Sequence, residues 1–164
     1  MKTVFVTGVS KGLGQEFFRQ LTGKGHFVFG LLRNSVHYGE LQAKHIHNAI
    51  FILADVASDE CTARIREVVK EHSVDQLINN AGIGAGGMCL DDANKGEIMA
   101  LPQVLCLGAL RVVQALKDSP LRASSPVVLN LNSRFGSISM QYDGTFKHMP
   151  ASYAYRIAKT AQNG

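Results

Sequence analysis

Apolar residues in this chain fall into two rhythms that take turns along its length. Residues 2–7, 26–32, 49–54, 75–79 and 126–131 are short runs rich in Val, Ile, Leu and Phe, the length and composition of buried strands. Between them lie stretches with helical spacing. The segment 15–23 is amphipathic, and the polar stretch 34–48 leaves room for a short helix. Ser58 reads as an N-cap with acids in the following turn and Ile65, Val68 and Val69 on one face, while residues 96–117 carry the longest helical pattern. Strands that are apolar on both sides and separated by helices need crossover connections. The pattern therefore predicts an α/β fold with a doubly wound parallel sheet and helices on both faces. With no repeat or linker in view, residues 1–164 read as one domain.

Composition narrows this picture. The chain is 46% hydrophobic and 18% charged, which supports a buried core rather than disorder. Its uncharged apolar stretches read as strand-sized, and the N-terminus runs straight into Thr7-Gly8 without a signal-like apolar region, so a cytoplasmic protein with no membrane segment is expected. Cys61, Cys89 and Cys106 are odd in number and far apart, and are expected to be buried or idle thiols. A net charge of +4 favours small anionic ligands over nucleic acid, because the basic residues are scattered. His45 and His47 form an HxH pair without a third ligand nearby, so no metal site is expected.

Chemistry enters at the junction of the first strand and first helix. Thr7-Gly8-Val9-Ser10-Lys11-Gly12-Leu13-Gly14 places glycines where a tight turn needs positive φ and where backbone must come close to a pyrophosphate at a helix N-terminus. No acid lies between Glu16 and Glu40, whereas Arg33 follows the second strand and Lys11 sits in the turn. An acid there would suit the ribose 2′-OH of NAD; basic residues suit the 2′-phosphate of NADP(H). Near the other end, Tyr155 and Lys159 stand at i and i+4 and share a helix face. A cation beside a phenol favours its ionised form, which turns a group with pKa about 10 into a usable acid-base catalyst.

These motifs, with Asn79-Asn80-Ala81-Gly82 after the fourth strand and Tyr155-x-x-x-Lys159, resemble the short-chain dehydrogenase/reductase family from end to end, in a carbonyl-reductase-like or C-factor-like variety suggested by Ser133-Arg134-Phe135-Gly136-Ser137 and Tyr155-Arg156. The resemblance implies a Rossmann-type sheet in strand order 3-2-1-4-5, a single dinucleotide-binding domain over residues 1–164, and a catalytic set of Ser133, Tyr155 and Lys159, with Ser133 bonding the substrate carbonyl. It implies cofactor contacts at Gly8, Ser10, Lys11, Gly12, Leu13, Gly14, Arg33, Asp55, Val56, Asn80, Ala81, Gly82, Tyr155 and Lys159, and an NADP(H)-dependent interconversion of carbonyl and alcohol on a small molecule. A homo-oligomer is implied if the chain is complete.

Several residues compete with that assignment. Tyr153 lacks a lysine four residues on and is expected to pack or cap. Ser137 and Ser139 are rivals of Ser133, but only Ser133 directly follows the strand. Ser133 and Tyr155 are 22 positions apart, longer than the family's usual spacing, so an inserted loop is expected around 140–149, with Tyr142, Phe146 and His148 as candidates for a substrate mouth.

Two departures from the family stand out. The position of its active-site asparagine holds Leu105, with Pro102 just upstream expected to disturb the helix. The chain ends five residues after Lys159, so the family's last strands are expected to be lacking and residues 127–131 to form an exposed apolar edge. A truncated, non-catalytic dinucleotide-binding or signalling protein is the alternative.

Overall fold

Residues 1–70, 72–87, 91–117, 125–149 and 152–163 are described in a computed structural model of the chain; Cys89 lies outside them. Five strands, β1 (Thr3–Thr7), β2 (Phe27–Leu32), β3 (Ala49–Leu53), β4 (Gln76–Asn79) and β5 (Val127–Asn130), pair in parallel in the order 3-2-1-4-5. The helices are α1 (Gly12–Gly23), α2 (Ser35–Gln42), α3 (Glu60–Val69), α4 (Lys95–Leu105), α5 (Leu107–Leu116), α6 (Ile138–Tyr142) and α7 (Tyr153–Asn163), with a 3₁₀ turn at Arg134–Gly136. The parallel sheet expected from the alternation of rhythms and the strand order implied by the resemblance are both observed.

The residues group into two compact units, Met1–Ala81 with Leu110–Leu131, and Gly82–Ala109 with Asn132–Gly164. The first contains the sheet. Val4, Val6, Val28 and Leu32 alternate along β1 and β2 onto one face, where they meet Val9, Phe18, Leu41 and Phe51 in a buried cluster. The intervening residues Phe5 and Phe29 point to the other face by strand alternation; their rings stack at 6.1 Å, and His72, just after α3, meets the Phe29 ring edge-on at 5.3 Å. Both faces are thus apolar, which is why β1 and β2 read as unbroken hydrophobic runs rather than alternating ones.

At the sheet's end, β5 pairs with β4 alone, and Val127, Val128 and Leu129 are each about half exposed, as expected of that segment. Its last residue is tied inward. The Asn79 amide donates to Asn130 Oδ1 at 2.8 Å, across the pair that the strand register sets opposite each other.

Four local expectations need correction. Helix α3 starts at Glu60, one residue later than a cap at Ser58 would give: Asp59 precedes it with helical backbone and no side-chain capping bond, while Ser58 Oγ makes the expected kind of bond, accepting from the Glu60 amide at 3.3 Å. The long helical pattern divides into α4 and α5 at Cys106, one turn beyond Pro102. Pro102 lies inside α4, and that helix runs through it despite the missing N–H; the Pro102 carbonyl accepts from the Cys106 amide where the helix breaks. The run Lys95–Leu116, contrary to the strand-sized expectation, is long and apolar enough by length and composition to cross a membrane. Its hydropathy has another use here, since Leu101, Val104 and Leu105 of α4 and Val112 and Ala115 of α5 are buried in the protein. Finally, 140–149 is not a plain loop: it begins inside α6, and Phe146 is buried against Phe135 with ring centroids 4.6 Å apart, while Tyr142 and His148 are exposed.

The second unit is organised by small residues. Ala154 and Ala158, one turn apart on α7, give Leu101 and Leu105 of α4 room to pack close, with Ile83, Ala85, Ile98 and Tyr155 around them. Ser152 caps α7, its Oγ accepting from the Tyr155 amide at 3.1 Å. Tyr153, expected to pack or cap, is the first residue of α7 and stands 40% exposed, the cap being Ser152.

Candidate active site

The glycine turn is built by close approach. Gly8 and Gly12 have φ of 76° and 60°, the left-handed region that favours glycine. Gly14, the first buried residue of α1, has a different constraint: a Cβ there would lie 2.2 Å from the Gly8 carbonyl oxygen and 2.3 Å from Asn80 Nδ2. That amide is held in place, donating to the Thr7 carbonyl at 2.9 Å and the Gly8 carbonyl at 3.3 Å. Thr7 Oγ1 accepts from the backbone amides of Asn80 and Ala81 at 3.0 and 2.9 Å. The ends of β1 and β4 are therefore clamped where the strand order reverses, the position at which open α/β sheets receive ligands. Thr7 belongs to the glycine motif without being among the site residues that the sequence predicts; the double acceptor role of its hydroxyl is visible only once β1 and β4 are known to be neighbours.

Above the clamp, the N-terminus of α1 carries no side-chain cap, for the capping position is Lys11, whose side chain cannot accept a hydrogen bond. Leu13 and Lys11 are exposed, Ser10 half-buried. At the end of β2, Arg33 approaches Asp55 at 3.9 Å, both side chains largely exposed. Asp55 Oδ1 accepts from the Ala57 amide at 2.9 Å, fixing the turn that follows β3 and contains buried Val56. Arg111 reaches the same turn, donating to the Val56 carbonyl at 3.3 Å. All the cofactor positions through Ala81 lie in the first unit; Gly82 begins the second.

In the second unit, α7 carries Tyr155 and Lys159, with the ammonium 5.8 Å from the phenol ring centroid. Lys159 is 5% exposed, and burial draws its pKa below the usual lysine value. Its Nζ donates to Gln162 Oε1 at 2.8 Å. Ser133 precedes the 3₁₀ turn and its Oγ accepts from the Phe135 amide at 3.2 Å, which leaves the hydroxyl proton free to donate elsewhere. The turn is seated on α7: Phe135 meets the Tyr155 ring edge-on at 6.4 Å, and a Cβ on Gly136 would lie 2.6 Å from the Lys159 carbonyl. Of the rival hydroxyls, Ser137 is spent as the cap of α6 and Ser139 bonds to it at 3.1 Å.

Leu105 is 3% exposed, in the same apolar cluster as Tyr155. Asn94 caps α4 by accepting from the Glu97 amide at 3.1 Å. Cys61 is buried, and burial followed by the nearby Asp55 charge pushes its thiol up to about 11, against the pull of Arg111, in keeping with an idle thiol. Cys106 donates to the Ala161 carbonyl at 3.3 Å. His45 and His47 are both exposed, and among the described residues no three His, Cys, Asp or Glu side chains gather into a group that could hold a metal.

Known proteins resemble this chain over most of its length. A 3-ketodihydrosphingosine reductase of Bacteroides thetaiotaomicron is 25% identical over 145 residues, covering 87% of this chain and 51% of the relative. The 3-oxoacyl-[acyl-carrier-protein] reductase FabG of Staphylococcus aureus is 30% identical over 143 residues, covering 84% and 58%. The chain thus spans little more than half the length of these curated relatives. Among solved structures, the NADPH-bound carbonyl reductase from chicken fatty liver shares the fold with a TM-score of 0.85 at 24% identity, covering 99% of this chain and 70% of that one. The family model for the short chain dehydrogenases matches residues 2–161. With the glycine turn, the Asn80 clamp and the Tyr155–Lys159 pair all inside that span, the chain belongs to the short-chain dehydrogenase family.

Proposed function

We propose that the protein is an NADP(H)-dependent reductase of small carbonyl compounds, working through Ser133, Tyr155 and Lys159. The observation that carries this reading is the pairing on α7 of a buried ammonium with a phenol 5.8 Å away at its ring, beside a turn that begins with a serine. The residues also suit the cofactor. An uncapped helix N-terminus, glycines that bring backbone close, and Arg33 beyond β2 offer amide donors and positive charge to a pyrophosphate and a 2′-phosphate. NADPH, when bound, supplies the hydride.

The chain's own groups handle the proton and the charge. Tyr155 donates its phenolic proton to the carbonyl oxygen as that oxygen gains negative charge, and Ser133 donates a hydrogen bond to the same oxygen. Lys159 stabilises the phenolate left behind. Its burial makes the ammonium costlier to keep than an exposed one, so its charge is strongly coupled to any anion that forms beside it.

Titration with both cofactors tests the first half of the reading. NADPH is expected to bind more tightly than NADH, and Arg33→Ala to weaken NADPH by about tenfold while leaving NADH nearly unchanged, as befits one exposed charge-assisted contact. Equal affinities for the parent would remove the charge argument.

A second reading, a dinucleotide-binding protein without turnover, draws on Leu105, a buried leucine where the family places an amide. We expect Leu105→Asn to raise turnover with NADPH affinity unchanged. It should also lower the melting temperature, because an amide in that cluster costs about 1–3 kcal/mol if left unpaired. Steady-state rates beside a thermal melt separate the two effects; a destabilised variant with no gain in rate means that another group carries the proton relay.

A further inference from the structure

We propose that Asn163, acting with Asn132, is a positioning residue that holds the Ser133 turn on α7, and so sets the serine hydroxyl relative to Tyr155 and Lys159. The proposal rests on the catalytic reading above and adds to it residues beyond the Ser-Tyr-Lys set. Asn163 is the last residue of α7, four positions after Lys159. Its side chain does two things at once. Nδ2 donates to the Gly136 carbonyl at 3.0 Å, and Oδ1 accepts from Asn132 Nδ2. Asn132 in turn uses its own Oδ1 to accept from the Ser133 backbone amide at 2.7 Å. One chain of amides therefore runs from the helix that carries the phenol and the ammonium to the backbone on both sides of Ser133.

Geometry makes that chain specific. Gly136 sits so close to α7 that a Cβ would lie 2.6 Å from the Lys159 carbonyl and 2.7 Å from Asn163 Nδ2. A glycine without a side chain can dock there but cannot grip. Asn163 supplies the grip, through the Gly136 carbonyl. Both faces of the amide are required: its N–H₂ for Gly136 and its oxygen for Asn132. A carboxylate at this position fills the same volume but presents only acceptors, one of them against the Gly136 carbonyl oxygen. A residue needed merely for packing would tolerate that exchange; a positioning amide would not.

The experiment compares the parent chain with Asn163→Asp and Asn163→Leu by amide hydrogen exchange and by steady-state reduction of a carbonyl with NADPH. Gly136 and Ser137 donate their amides within the turn, to the Ser133 and Arg134 carbonyls, so their protection reports its integrity. Exchange at Gly136 and Ser137 is expected to rise about tenfold in both variants, with the protection of α4 and of the first half of α7 unchanged. Turnover number is expected to fall about tenfold, and KM for NADPH to stay within about twofold, because the glycine turn that holds the cofactor phosphates is untouched. Unchanged exchange in Asn163→Asp overturns the proposal whether or not the parent turns over. Faster exchange with an unchanged turnover number, in a parent that Tyr155→Phe inactivates, also overturns it and leaves the catalytic reading in place. A parent whose activity survives Tyr155→Phe overturns the catalytic reading, and with it the positioning role.

Discussion

Replacing Tyr155 with phenylalanine is expected to lower carbonyl turnover by about 10²–10⁴-fold while folding and NADPH binding persist, the range associated with losing general acid-base help. The substitution removes one oxygen. The ring keeps its edge-on contact with Phe135 at 6.4 Å and its place beside Leu101, Leu105, Ala154 and Ala158, so the apolar cluster of the second unit loses nothing. The helix keeps its start as well, since Ser152 caps α7 through the backbone amide of residue 155, which the exchange leaves intact. Lys159→Ala makes the necessary contrast. It removes a buried side chain whose Nζ bonds Gln162 and whose charge, in the proposed mechanism, would support the phenolate, so it is expected to impair both rate and cofactor binding. Rates and NADPH affinities measured side by side distinguish a proton donor from a packing residue. Full activity of Tyr155→Phe would assign the chemistry to a different group.

Most of the fold was legible because its signals are local and repeated. Strands such as β1 and β2 declare themselves by apolar residues on both faces, and each glycine or polar break between a strand and a helix marks a crossover. What misled were places where one residue can play either of two parts. Ser58 and Asp59 both have capping oxygens, and only the observed backbone shows that the helix starts at Glu60, with Ser58 Oγ bonding the Glu60 amide and Asp59 making no capping bond. Pro102 lacks one N–H, but the surrounding residues still prefer to bury Leu101, Val104 and Leu105 together, so packing carries α4 through it and the break comes at Cys106. Phe146 shares its segment with exposed Tyr142 and His148; nothing in their order says which aromatic residue will turn inward against Phe135.

The candidate site divides in the same way. Spacing alone pairs Tyr155 with Lys159, because i and i+4 on one helix are neighbours by construction. Contacts between segments distant in sequence are different. Thr7 with Asn80, Gly14 with Asn80, and Asn132 with Asn163 depend on strand order and on which turn rests on which helix, so their roles emerge only from the assembled backbone. Gly136 shows the middle case: its place in a Ser-x-x-Gly motif was readable, but the reason for the glycine is the Lys159 carbonyl 2.6 Å from where a Cβ would be.

The glycine turn yields the second large effect, and a sharper test of why each glycine is there. Gly14→Ala is expected to destabilise the first unit by about 2–4 kcal/mol and to weaken NADPH binding severely, whereas Gly12→Ala should cost about 1–2 kcal/mol. The difference lies in what each new methyl meets. At Gly12 nothing lies within 4 Å, so alanine suffers only from a φ of 60°. At Gly14 the methyl would fall 2.2 Å from the Gly8 carbonyl oxygen, which is main chain, and 2.3 Å from Asn80 Nδ2. Neither neighbour can move freely. The Gly8 amide donates to the Leu31 carbonyl at 2.7 Å, pinning the turn to the end of β2, and the Asn80 side chain is held by the Thr7 and Gly8 carbonyls. The α1 helix must therefore back away from the turn, breaking the Asn80 clamp between β1 and β4 and tilting the helix amides from the place a pyrophosphate would occupy. For a chain of this length each kcal/mol lowers the melting temperature by about 2–4 °C, so Gly14→Ala should melt roughly 5–15 °C below the parent. Thermal melts and NADPH titrations on the two variants decide the matter: equal losses at Gly12 and Gly14 would mean that backbone conformation, not the close approach of α1 to the turn, is what the glycines provide.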